Sequence, residues 1–184
     1  MRLFTVGHGT QPAGDLVTML AAAGVRRVVD VRIAPGSRKH PQFNREALAG
    51  SLRGGGIAYE WRKDLGGFRK ARAGSPHTAL RNESLRGYAD HMDTPEFGEA
   101  LDWLVETSAT TPTAILCSET VWWRCHRSMV ADAVVARGHE VGHVLPGGRI
   151  DAHRLRDVAR VQDGRPVYDV DTGQGRLVDD GPTP

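Results

Sequence analysis

Five short apolar runs recur along the chain, at 3–6, 27–31, 57–61, 113–116 and 140–144, and most of what separates them has helical periodicity. This alternation constrains the fold more than any other feature. Runs of four or five residues rich in Val, Ile and Leu read as strands buried on both faces, and strands joined through helices build a mainly parallel sheet. The expected fold is therefore α/β and three-layered, a Rossmann-like sheet with helices on both faces and a short C-terminal extension.

The helices are marked individually. Leu16, Met19, Leu20 and Ala23 are spaced helically over 15–23, and Gly24 is a stop signal. Asn44 is placed to cap a helix over 45–53 that Gly54-Gly55-Gly56 ends. A helical segment at 84–92 precedes one at 95–107, where Thr94 caps, Pro95 takes the first position, and Phe97, Leu101, Leu104 and Val105 make the apolar stripe. A last helix is expected over 126–137, stopped by Gly138. Residues 62–82 have no periodicity, and a loop of that length in a small domain is usually functional or mobile. The division that results is one α/β domain at 1–145 and an extension at 146–184. In the extension a short helix at 151–160 and a hairpin of 166–170 with 176–178 are expected, the last residues fraying.

The chain has 184 residues, enough for one domain with a real core. No apolar run reaches the length of a membrane span, and no secretory signal is evident. With two cysteines only, the expectation is a cytoplasmic protein without a disulfide framework and with no membrane partner. The net charge of +2 conceals segregation. Residues 32–45 carry Arg32, Arg38, Lys39 and Arg45 with no acidic residue, and 62–72 carry five basic residues against Asp64 alone. Glu119, Arg124 and Arg127 lie on a third loop.

In an open parallel sheet the loops leaving the strand C-terminal ends meet on one edge, and ligands bind there. The loops that begin at Gly7, Arg32, Arg62 and Ser118 would then bring these basic groups together and favour an anionic ligand. The start of the 126–137 helix adds free N–H groups and a positive dipole end. Arg32, Arg38, Arg124 and Arg127 are candidate anion ligands, the alternative for Arg124 and Arg127 being ion pairs with Glu119 and Asp132.

Residues 112–130, PTAILCSETVWWRCHRSMV, hold most of the candidate chemistry. Cys125 sits where a helix start, arginines and His126 would lower a thiol pKa, so it is a candidate nucleophile, or else a small core residue. Cys117, at the end of a buried strand, reads as core. The arginine needed for a Cys-x5-Arg phosphatase loop is replaced by Trp123. Zinc on Cys117, Cys125, His126 and either His8 or His40 matches no compact spacing pattern, and a Cys117–Cys125 disulfide suits a cytoplasm poorly. Glu119 and Asp30 are candidate acids or bases, or else a loop ion-pair partner and a backbone cap. His8 lies between glycines that permit close ligand approach. Trp61, Trp122 and Trp123 could stack on bases or pack beneath the loops.

Several stretches together resemble one bacterial and archaeal family: TVGHGT at 5–10, VVDVR at 28–32, SRKHPQFN at 37–44, GIAYEWRKDLGG at 56–67, GYADHM at 87–92, TPEF at 94–97, and LCSE with RCHR over 116–127. This family is domain-of-unknown-function family 488 (DUF488), and the resemblance spans about residues 3–144. The family's more usual forms, GHS and CAE, read here as Gly7-His8-Gly9-Thr10 and Cys117-Ser118-Glu119. Its activity is not settled. The resemblance implies functional importance for His8, Asp30, Arg32, Arg38, Asn44, Gly66, Gly67, Glu119, Cys125, His126 and Arg127.

Three functions follow as expectations. The first is a hydrolase or group transferase acting on a phosphate-bearing nucleotide or nucleic acid. In it Glu119, His126, Asp30, Cys125 and His8 are the catalytic candidates, and Arg32, Arg38, Asn44, Gly66, Gly67, Arg124 and Arg127 bind substrate. The second is a non-catalytic nucleic-acid-binding module. The third is a thiol-redox or metal-binding protein using Cys117 and Cys125. The sequence assigns no cofactor, no metal ligand set and no oligomeric state.

Overall fold

The computed structural model describes residues 2–172. A six-stranded sheet is built from β1 (Arg2–Gly7), β2 (Arg27–Asp30), β3 (Ala58–Trp61), β4 (Thr113–Cys117), β5 (Glu140–Val144) and β6 (Ile150–Ala152). Its order is β3-β2-β4-β1-β5-β6, and β1 to β5 all pair in parallel. The α/β architecture expected from strand–helix alternation is the one observed.

Side chains alternate across the strands, so each run feeds two cores. Phe4, Val6, Val28, Ala114 and Leu116 join Leu16, Leu20, Leu48 and Leu52 of α1 (Ala13–Ala22) and α2 (Arg45–Gly54). On the other face, Leu3, Val29, Ile115 and Val141 meet α3 (Glu83–Met92), α4 (Pro95–Thr110) and α5 (Arg127–Ala136). Helices α1 and α5 leave the neighbouring strands β1 and β4 toward opposite faces. The loops leaving these two strand ends therefore part to opposite sides of the sheet, at the kind of switch point where parallel sheets bind ligands.

Some local expectations are corrected. Asn44 is the N-cap of α2 by position, but its side chain accepts from Ser37 N (2.6 Å) and makes no capping bond. Thr94 caps α4 through Phe97 N, as its sequence position indicated. Residues 62–82 are held by α3: Tyr88 donates to Leu65 O (2.8 Å), His91 bonds Asp64 O (2.7 Å), and Asp90 accepts from Arg72 N (2.8 Å). Gly87 faces the backbone of 69–71 so closely that a Cβ there would stand 2.5 Å from Arg69 O. The GYADHM stretch is thus the anchor of the long loop.

The extension differs most from expectation. No helix forms over 151–160; β6 instead pairs antiparallel with β5 and covers what would be an open sheet edge. The hairpin observed is β7 (Arg160–Gln162) with β8 (Arg165–Val167), turning at Asp163-Gly164, and the expected partner strand 176–178 lies outside the described residues. Tyr168 is fully buried in the α3–α5 core.

Candidate functional site

The β1 and β4 ends continue to pair past the sheet, with His8 N donating to Cys117 O and Gly9 N to Ser118 O, each at 3.0 Å. Three groups of residues converge around this seam.

The first group is a buried ion-pair knot. Asp30 and Arg32 lie two residues apart at the end of β2 and therefore point the same way. Arg32 Nε reaches Asp30 Oδ1 at 2.9 Å, and its NH2 reaches Oδ2 at 2.5 Å. Tyr59 adds a hydrogen bond to Oδ2 (2.8 Å), and the Arg32 backbone N–H one to Oδ1 (3.0 Å). The NH1 of Arg32 donates to Phe43 O (2.9 Å) and meets His8 Nε2 (3.2 Å). His8 Nδ1 then donates to Gly9 O (2.9 Å), its ring stacks on Phe43 at 4.0 Å, and burial lowers its pKa to about 4. His8 is therefore neutral, with both nitrogens engaged. The geometry gives Asp30 and Arg32 a positioning role: they tie the 33–44 loop to the β1 and β2 ends and leave Arg38 and Lys39 exposed there. Asn44 works in the same loop through Ser37.

The second group is a clamp. Arg127, 1% exposed, sends NH1 to Glu119 O and NH2 to Thr120 O (2.8 Å), so its guanidinium shapes the loop after β4. Its Nε is buried without a hydrogen bond. Glu119 is exposed and accepts from Val121 N (3.1 Å), so the Glu119–Arg127 contact runs through a backbone carbonyl and not through the carboxylate. Gly7 makes the clamp possible, since a Cβ there would penetrate Glu119 O and stand 2.6 Å from Arg127 NH1. Gly7→Ala is expected to cost about 2–3 kcal/mol through this overlap, read as a lower denaturant midpoint with an unchanged m-value.

The third group holds both thiols and an imidazole. Ligand atoms of Cys117, Cys125 and His126 lie within 4.8 Å of one another, with Cys125 Sγ 3.7 Å from His126 Nδ1. Both thiols are free and buried. Hydrogen bonding from the Cys117 thiol, with help from Arg127 and its backbone N–H, lowers the Cys125 pKa to about 7. That same contact, with burial, pushes Cys117 well up. The positive start of α5 is thus turned on the Cys125 sulfur. Burial lowers the His126 pKa, and Tyr88 packs edge-on to its ring at 5.0 Å. Gly67 closes over the imidazole, and Gly66 packs on Ile33. Beside them Phe68 is 91% exposed at φ 56, a left-handed conformation unusual for a bulky residue.

Arg124 is exposed on the short turn before α5. The tryptophans pack: Trp61 donates to Arg32 O (2.7 Å) under Arg45, and Trp122 stacks on His143 at 3.8 Å with Trp123 edge-on. An open groove of about 380 Å³ lies between α2 and β3; Arg45, Tyr59 and Trp61 line it, and Cys117, Cys125, His126 and Glu119 do not.

One buried network was not anticipated from the sequence. Thr5 Oγ1, His143, His153 and Asp132 form a chain with links of 2.7, 2.9 and 2.9 Å, and Asp132 also accepts from Tyr168 OH (2.9 Å) and pairs with Arg156 (3.2 Å). Asp132 is thus taken by the extension and does not pair with Arg124 or Arg127. The signal for it was His143 inside an otherwise apolar strand, which needs a polar partner when buried.

Among known proteins, the family model described as "Domain of unknown function DUF488" matches residues 13–134. No curated protein and no solved structure matches the chain. Among the described residues no helix is long and apolar enough to cross a membrane.

Proposed function

Starting from the chain's membership of the DUF488 family, we propose that it is an enzyme, a hydrolase or group transferase, acting on an anionic, phosphate-bearing substrate such as a nucleotide or a nucleic-acid end. The observation that carries this reading is the convergence of two thiols and an imidazole within 4.8 Å beside the β4 end. Packing alone does not require three such groups in one place, and perturbed titratable groups in a crevice are typical of reactive centres. Cys125 and His126 are the candidate catalytic residues. Exposed Arg38, Lys39 and Arg124 supply the attraction for an anion. Asp30, Arg32, His8 and Arg127 hold the loops that carry them, and Glu119 is a solvent-facing acid on the loop after β4.

A panel of phosphomonoesters, phosphodiesters and nucleotides tests the proposal. Wild-type protein is expected to turn over at least one class, and Cys125→Ala to lower that rate by about 100-fold or more at unchanged circular dichroism. Absence of turnover across the panel, or equal rates in the variant, contradicts it.

A further inference from the structure

The Cys117–Cys125–His126 cluster also fits a metal. We propose that these three side chains form a three-ligand site for zinc(II), leaving its fourth position open to water or substrate. This assignment concerns the reactive centre of the reading above and rests on that reading only for its catalytic meaning.

Donor type and geometry both argue for it. Two sulfurs and an imidazole nitrogen are ligands of choice for a borderline-soft divalent ion. With Zn–S of about 2.3 Å and Zn–N of about 2.0–2.1 Å, tetrahedral ligands stand about 3.6 Å apart for sulfur and nitrogen. The Cys125 Sγ to His126 Nδ1 separation is 3.7 Å, and Cys117 completes the trio within 4.8 Å. The ligands therefore need to move little to close on an ion. Gly67 gives a second, independent sign: a Cβ there would sit 2.8 Å from His126 Nδ1, so a side chain at 67 would fill the side on which that nitrogen is approached. The other nitrogen, Nε2, is buried toward the Val31 backbone without a hydrogen bond of ordinary geometry. A ligating imidazole carries its proton on that atom and uses a carbonyl to fix the ring.

Of the ligands considered from the sequence, this set keeps Cys117, Cys125 and His126 and leaves out the second histidine. Both His8 nitrogens are engaged, by Gly9 O and Arg32, and His40 is not among the groups whose ligand atoms lie within 4.8 Å of one another. Three protein ligands with one vacancy is the arrangement of catalytic zinc, whose bound water loses a proton near neutral pH. Binding replaces two thiol protons by one zinc ion and releases both to solvent, so affinity rises with pH. The other cluster of potential ligands, His77, Asp90 and Asp93, already holds the Arg72 guanidinium (3.3 Å to Asp90 and 2.9 Å to Asp93) and is a site of a different kind.

Full-length protein, reduced and stripped with a chelator, is titrated with cobalt(II) without oxygen and then with zinc(II). Expected are thiolate-to-cobalt charge-transfer absorption and intense visible bands of tetrahedral cobalt, saturating at one ion per chain and displaced by zinc. Cys125→Ser and His126→Gln should each weaken binding by about 100-fold. Gly67→Ala, which leaves every ligand in place, should weaken it at least about tenfold and guards against misfolding of the ligand variants. Absence of these bands, or bands unchanged in the three variants, overturns the assignment. Turnover that persists in metal-free protein would remove zinc from the reaction and leave the enzymatic reading standing. Tight zinc binding without turnover of any phosphate ester does the reverse.

Discussion

Asp132→Ala is expected to destabilise the protein by about 3–5 kcal/mol, the cost of removing one partner from a buried charged network. The carboxylate is completely buried on α5 and receives His153, Tyr168 and Arg156, all from the segment after β5. Without it, an imidazole N–H, a phenol and a guanidinium lose their shared acceptor in a place that water does not reach. For a chain of this size the change corresponds to a fall in melting temperature of about 10 °C. Tyr168→Phe, which deletes one hydrogen bond and keeps the ring, should cost about 1 kcal/mol. Limited proteolysis adds a local readout: cleavage after β5 should accelerate far more in Asp132→Ala than global unfolding explains. If Asp132→Ala costs no more than Tyr168→Phe, the extension is held by its apolar contacts and the network is incidental.

Acidification from pH 7 to pH 5 should destabilise the protein by about 2 kcal/mol through His143 alone. This imidazole is stacked on Trp122 between Thr5 and His153, and burial lowers its pKa from 6.5 to about 2. A histidine whose folded pKa is depressed binds fewer protons folded than unfolded. Stability is therefore complete above the unfolded value and declines as pH falls below about 6.5. His8, lowered to about 4 by burial, acts in the same direction and brings the combined loss to about 4 kcal/mol. Urea denaturation at half-unit pH steps measures this, and His143→Gln should flatten the slope. A midpoint constant between pH 7 and pH 5 would mean that both histidines are protonated at little cost in the native state.

How far the sequence could be read depended on the range of the interaction concerned. The strands and most helices follow from local periodicity, so Leu16, Leu20 and the Thr94-Pro95 start of α4 were recognisable one segment at a time. The parallel arrangement followed from alternation. The strand order, with β4 inserted between β2 and β1, depends on non-local pairing and leaves no local mark.

The same distinction applies to the candidate site at the strand ends. Its loops were legible because strand ends in a parallel sheet share an edge. Whether an arginine faces ligand or structure was not, because Arg32 and Arg127 differ from Arg38 only in what surrounds them after folding. Asp30 and Arg32, two apart at a strand end, are recognisable in retrospect as a same-side pair. Glu119 and Arg127 do touch, but through a carbonyl that no sequence pattern identifies. The segment 151–160 read as a helix because nothing local revealed that β5 needed an edge partner. His153 and Tyr168 contribute through contacts with Asp132, 21 and 36 residues away in sequence.

The most direct measurement of where an anion binds is a titration of isotopically labelled protein with a phosphomonoester, followed through backbone amide shifts. Saturable shifts are expected at residues 7–9, 37–40, 66–69 and 117–127, weakening as salt is raised. Shifts centred on the α2–β3 groove at Arg45, Arg53 and Trp61, or none at all at millimolar ligand, would contradict that expectation.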